Sequence, residues 1–149
     1  MTTVADILRG KHSQTVHSVA PSDTMLSALQ RMADHGIGAL LVLEGERIAG
    51  IVTERDYARK VVLLGRSSGS TPVKEIMTAQ VHCVTQQQTT DECMALMTDK
   101  RIRHLPVVNA QHQVLGMVSI GDLVKEIISA QQFTIQQLEH YISGTTRAS

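Results

Sequence analysis

Thr53-Glu54-Arg55-Asp56 and Ser119-Ile120-Gly121-Asp122 each place a hydroxyl three residues before a carboxylate, directly after Gly50-Ile51-Val52 and Gly116-Met117-Val118. An ionised aspartate accepts hydrogen bonds from two vicinal hydroxyls, which suits the 2′ and 3′ groups of a ribose. A threonine hydroxyl donates to a phosphate oxygen, and the free N–H groups that open a helix favour the same anion. Arg55 adds a positive charge beside that helix start. The same pattern before an apolar helix is also a variant of the capping box, which needs no ligand. Both readings stand for each copy, and the two are compatible.

The other reactive side chains form no such set. Seven histidines are present, yet none has a metal-ligand arrangement. His17 and His82 occupy equivalent places at strand starts, where a structural or base-edge role fits better. Cys83 follows His82, but no third group orients a thiol–imidazole pair. A buried structural cysteine is therefore expected, and no catalytic residue is assigned. Cys83 and Cys93 are the only cysteines and lack CxxC spacing, which fits a reducing compartment. Residues Met1 to Asp6 show no basic-then-apolar leader, and no apolar run approaches bilayer length. A cytoplasmic protein without membrane contact is expected.

These side chains must be held by a packed body, and the composition allows one. The 149 residues are 42% hydrophobic and 19% charged, which argues against disorder and is enough for a core. Lys and Arg (14) balance Asp and Glu (14), removing the electrostatic footprint of a general nucleic-acid binder. Phe133, Tyr57 and Tyr141 are the whole aromatic supply, so base-stacking platforms are lacking too. The core must be aliphatic.

The body is written twice. At an offset of 65 residues, Val16-His17-Ser18-Val19 falls on Val81-His82-Cys83-Val84, and Thr24, Met32 and Asp34 fall on Thr89, Met97 and Asp99. Ile37, Leu40 and Val42 then meet Ile102, Leu105 and Val107. One extra residue in the second hairpin brings Gly50–Asp56 onto Gly116–Asp122, and the lead-ins Val4–Leu8 and Val73–Met77 also match. Each copy reads as a helical lead-in, a brief strand (Val16–Val19 or Val81–Val84), an amphipathic helix, a buried strand (Ala39–Leu43 or Leu105–Val108), a polar turn, a second strand and a second helix. Thr89 and Glu92 form a capping box at the second amphipathic helix. The pattern predicts an α+β protein: two tandem β-α-β-β-α repeats packed with pseudo-two-fold symmetry, plus a C-terminal helix. The boundaries are 1–65 for the first repeat, 66–72 for a Gly/Ser linker, 73–130 for the second repeat and 131–149 for a helical tail.

In this order, and twice, the motifs resemble the cystathionine-β-synthase-type (CBS) domain pair, or Bateman module. They are Gly50–Asp56, Gly116–Asp122, Arg101-Ile102-Arg103-His104-Leu105-Pro106-Val107-Val108 and Val73-Lys74-Glu75-Ile76-Met77-Thr78. The resemblance covers Val4 to about Ile128 and is closest to small stand-alone two-repeat proteins. It implies binding of an adenosine-containing ligand between the repeats, with AMP expected first and ADP, ATP, NADH or S-adenosylmethionine as alternatives. No obligatory cofactor and no metal are implied.

The resemblance also pairs each hydroxyl–carboxylate motif with the other repeat's strand. A first cleft would join Ile51, Thr53, Arg55 and Asp56 to Val81, His82, Ile102, Arg103, His104 and Pro106; it is cationic and suits a phosphate. A second would join Met117, Ser119, Gly121 and Asp122 to Val16, His17, Ile37, Gly38 and Ala39, and is neutral. Ile37, Ile51, Ile102 and Met117 would sandwich an adenine. Gln86-Gln87-Gln88 where the first repeat has Pro21, Ser119 in place of threonine and Gly121 in place of Arg55 depart from the family pattern and weaken the second cleft.

The segment from Ala130 to Ser143 keeps an apolar stripe at Phe133, Ile135, Leu138 and Ile142, with Tyr141 alongside. It buries against a second copy or folds back on its own body. The expected function is a non-enzymatic regulatory module that senses a nucleotide and signals to a partner protein, as a homodimer. The alternative is an interaction scaffold with vestigial clefts.

Overall fold

The structure, a computed structural model, describes residues 1–11 and 15–148, with side chains up to 143. Helix α1 (Val4–Gly10) opens on a capping box between Thr3 and Asp6. Strand β1 (Ser18–Val19) lies parallel to β2 (Ala39–Glu44), which pairs antiparallel with β3 (Arg47–Thr53). Between β1 and β2, α2 (Met25–His35) is capped by the Thr24 hydroxyl and ends at Gly36, whose φ of 63° closes the helix in the left-handed region. Helix α3 (Glu54–Tyr57) continues as a π-helical turn over Ala58–Val62. The second repeat follows the same order. A 3-10 turn at Val73–Glu75 is followed by α4 (Thr90–Lys100), β4 (His104–Val108), β5 (Val114–Ser119) and α5 (Ile120–Ala148).

The expected strand Val81–Val84 is reduced to one residue. Val84 bridges β4 in parallel: its N–H donates to the Pro106 carbonyl, and its own carbonyl accepts from Val108 N–H, each at 2.9 Å. The Thr89–Glu92 capping box forms as expected.

The lead-in segments are exchanged between the repeats. Val4, Ile7 and Leu8 of α1 are buried with Val84, Cys93, Met97, Leu105, Val107, Val118 and Leu123 of the second repeat. Val73 and Ile76 are buried with Val19, Met25, Ala28, Met32, Leu40, Val42, Val52 and Val61 of the first. Each buried aliphatic side chain contributes about 1.5–3 kcal/mol, so neither half keeps its full core without the other's lead-in. Two glycines admit this crossing. A β-carbon on Gly50 would lie 2.8 Å from both Met77 Sδ and the Thr78 carbonyl oxygen, and one on Gly116 would lie 2.8 Å from Leu8 Cδ2.

Helix α5 runs unbroken through the expected boundary at 130, so repeat and tail share one helix. Its start packs on the body through Leu123, whereas the apolar side chains from Phe133 to Ile142 stay exposed. Phe133 is 63% exposed, and Ile135, Leu138, Tyr141 and Ile142 are exposed beside it. Among the described residues no helix is long and apolar enough to cross a membrane.

Candidate functional site

Thr53 closes β3 and caps α3. Its N–H and its hydroxyl both donate to Asp56 Oδ2, at 3.0 and 3.1 Å, and Asp56 N–H donates back to Thr53 Oγ1 at 3.1 Å. The other carboxylate oxygen of Asp56 faces Lys60 Nζ at 3.4 Å, and that ammonium also donates to the Ile76 carbonyl at 2.9 Å. The capping box is therefore formed, and it presents both side chains to a cavity. Thr53, Arg55 and Asp56 line a space of about 520 Å³ between the repeats.

Ile102, Arg103 and His104 enter this cavity from the second repeat, and Ile51, Val81 and His82 line it as well. Of the residues expected in the first cleft, only Pro106 is absent from the lining. It is buried within β4 opposite Met117, on the face of the strand away from Leu105 and Val107.

The second set is divided. Gly38, Ser119 and Gly121 line the same cavity, while Val16, His17, Ile37, Ala39, Met117 and Asp122 do not. The His17 ring stacks on His35 with centroids 3.7 Å apart. Ile37 packs against the first core, and Ala39 pairs with Thr53 in the sheet. Asp122 caps α5 as Asp56 caps α3, accepting from Ser119 N–H at 2.9 Å. Its Oδ2 is also met by Lys11 Nζ at 3.0 Å, and the same ammonium donates to the Met117 carbonyl at 2.8 Å.

Several lining residues escaped sequence reasoning: Glu54, Thr78, Gln80, Arg101 and Ile120. Glu54 packs under Gly38, where a β-carbon would lie 3.6 Å from its carboxyl carbon. Gln80 is the repeat counterpart of Lys11, which extending the lead-in match by three residues past Leu8 and Met77 reveals. Arg101 falls on Gly36 in the repeat register and takes the same left-handed conformation, with φ 54°. A side chain there costs about 1 kcal/mol or more over glycine.

The electrostatics are uneven. Burial pushes the His104 imidazole below its usual value, with Lys11 and Arg103 acting in the same direction and Asp122 opposing them. Burial would raise the Asp122 carboxyl, but the Ser119 N–H and the Lys11 ammonium outweigh it and hold the group low. Arg55 Nη1 donates to the Arg101 carbonyl at 3.3 Å, tying the two repeats across the cavity mouth. Among the described residues no cluster of three or more His, Cys, Asp or Glu side chains is arranged to hold a metal.

Comparison with known proteins gives concordant matches. The family model of the CBS domain matches residues 3–63 and 73–129. A mitochondrial CBS domain-containing protein of Arabidopsis thaliana, CBSX3, is 40% identical over 151 residues, covering 96% of this chain and 73% of its own length. The structure of a signal-transduction protein with CBS domains from Burkholderia ambifaria MC40-6 is 58% identical with a TM-score of 0.85, covering 90% of this chain and 99% of that one. The CBS domain pair of protein MJ0100, solved in complex with 5′-methylthioadenosine and S-adenosyl-L-methionine, shares the fold at a TM-score of 0.76 and 23% identity, over 88% and 98% of the two chains.

Proposed function

This chain belongs to the CBS domain family, and on that premise we propose that it binds an adenine nucleotide in the first cleft and signals occupancy to a partner protein. Family membership carries the coarser statement, a ligand-binding regulatory module. The finer one rests on a single observation: one cavity joins the Thr53–Asp56 hydroxyl–carboxylate pair of the first repeat to the Arg103–His104 edge of the second. Asp56 suits the ribose hydroxyls, while Thr53, the α3 N-terminus and Arg55 suit the adjoining phosphate. Ile51 and Ile102 offer apolar faces for the base. The fold neighbour MJ0100 is described with adenosyl ligands, which is in keeping with this class. The reading is of a binding module and not of a catalyst.

Binding of this kind shifts the relative placement of the repeats only by its differential affinity for two arrangements. The Arg55–Arg101 tie across the mouth is a contact that a phosphate would compete for. A homodimer through α5 belongs to the same reading. Val124, Ile128, Ile135, Leu138 and Ile142, with Gln131 between them, follow an a/d heptad seam, and the apolar members are exposed. A cytoplasmic location is supported by two cysteines that are free thiols.

A thermal-shift panel of AMP, ADP, ATP, NADH and S-adenosylmethionine tests the reading. A ligand at a hundred times its Kd adds about 2.7 kcal/mol, or roughly 5–10 °C for a chain of this size. A shift with an adenine nucleotide is expected; none with any member of the panel would move the assignment to an interaction scaffold, the reading that the exposed face of α5 favours.

A further inference from the structure

Beside the first cleft lies a second groove lined by Arg55, Arg59, Arg101 and Arg103. Three of these, Arg55, Arg101 and Arg103, line the main cavity too, so the groove adjoins it. No acidic side chain lines the groove, and among the described residues none of the four arginines stands in an ion pair. Arg55 and Arg59 are four apart on consecutive helical turns, a spacing at which like charges repel. Arg101 keeps its side chain at a backbone conformation that the first repeat gives to Gly36. In a chain whose charges cancel, four guanidinium groups around one groove exceed what a single phosphate at Thr53 and Arg55 requires.

We propose that this groove holds the outer phosphates of a nucleoside polyphosphate, whose ribose meets Asp56 and whose first phosphate meets Thr53. This rests on the nucleotide reading above and narrows it from adenine nucleotides in general to those with two or three phosphates. Guanidinium forks match phosphate oxygens bidentately. A monophosphate stops short of Arg59, and the positively charged sulfonium of S-adenosylmethionine is repelled.

Equilibrium titration of the full chain with AMP, ADP, ATP and inorganic tripolyphosphate tests it, on the wild type, Arg59→Ala and Arg59→Glu. Arg59 is exposed and outside the main cavity, so neither substitution threatens the core. ATP is expected to bind about tenfold or more tighter than AMP, and Arg59→Ala to remove most of that advantage while AMP affinity stays within about twofold. Arg59→Glu should weaken ATP further. AMP binding as tightly as ATP, or ATP affinity unmoved by either variant, overturns the polyphosphate subsite and leaves the nucleotide reading intact. Tripolyphosphate binding as tightly as ATP overturns the nucleoside source. No binding by any nucleotide defeats both readings together.

Discussion

Lys11 Nζ lies 3.0 Å from Asp122 Oδ2, in the position that Gln80 occupies relative to the first cleft by repeat equivalence. Gln80 lines a cavity beside Asp56, whereas Lys11 is held by Asp122, the repeat counterpart of Asp56, and by one backbone acceptor of β5. Each carboxylate faces one ammonium, Asp56 that of Lys60 and Asp122 that of Lys11, but only Asp56 lines the cavity. One nucleotide per chain is therefore predicted. Lys11→Gln, which writes the Gln80 side chain into the second cleft, should raise the calorimetric stoichiometry from one to two; a variant still binding one would contradict the blocking role.

Gly50 and Gly116 are predicted to differ in their tolerance of a methyl group. At Gly50 a β-carbon meets the Thr78 backbone oxygen, which is held in a bridge to Ile51. At Gly116 it meets only the end of the Leu8 side chain, which can rotate away. Gly50→Ala should cost about 1–3 kcal/mol in urea unfolding and Gly116→Ala clearly less. Equal costs would mean that the two crossings are not packed as described.

Much of this arrangement is legible in the sequence because it is local and repeated. The Thr53–Asp56 and Ser119–Asp122 caps, the hairpins and the helix starts each follow from spacing within a few residues. The exchange of lead-ins is not legible, since Val4-Ile7-Leu8 and Val73-Ile76-Met77 carry the same apolar spacing and fit either core. Lys11 and Asp122 are 111 positions apart, and no local pattern announces their pairing. Arg101 hides for another reason: a left-handed cap usually reads as glycine, and here the repeat has replaced it.

His104 sets a pH dependence of known sign. Its folded imidazole is held below the usual value of about 6.5, so the unfolded chain takes up a proton that the folded one refuses. Stability should fall as pH drops through that usual value towards the lowered one. His17 is also lowered, by its burial and by His35, and contributes with the same sign. The difference in Tm between wild type and His104→Gln from pH 8 to 6 isolates the His104 part, and the variant should show the flatter profile. A phosphate beside His104 favours the charged form, so nucleotide binding should take up a proton, seen as a dependence of binding heat on buffer ionisation enthalpy that His104→Gln reduces. Identical profiles for the two proteins would remove His104 from the site.

The α5 seam predicts an oligomer that charge can break. Ile135→Asp with Leu138→Asp places two carboxylates on exposed seam positions, so light scattering should report a dimer for the wild type and a monomer for the variant. The helical body should unfold as a monomer of unchanged core. A wild-type monomer, or a variant dimer of the same affinity, would contradict pairing through this face.

The most direct measurement is a calorimetric titration of AMP and ATP into the wild type and Asp56→Ala, with unfolding curves for both. Removing the carboxylate also removes the Thr53 capping box, at a cost of about 1 kcal/mol, and the chain should remain folded. The account predicts binding to the wild type and a loss of about tenfold or more in affinity in the variant. Equal affinity in a folded Asp56→Ala protein, or no binding to the wild type, would contradict it.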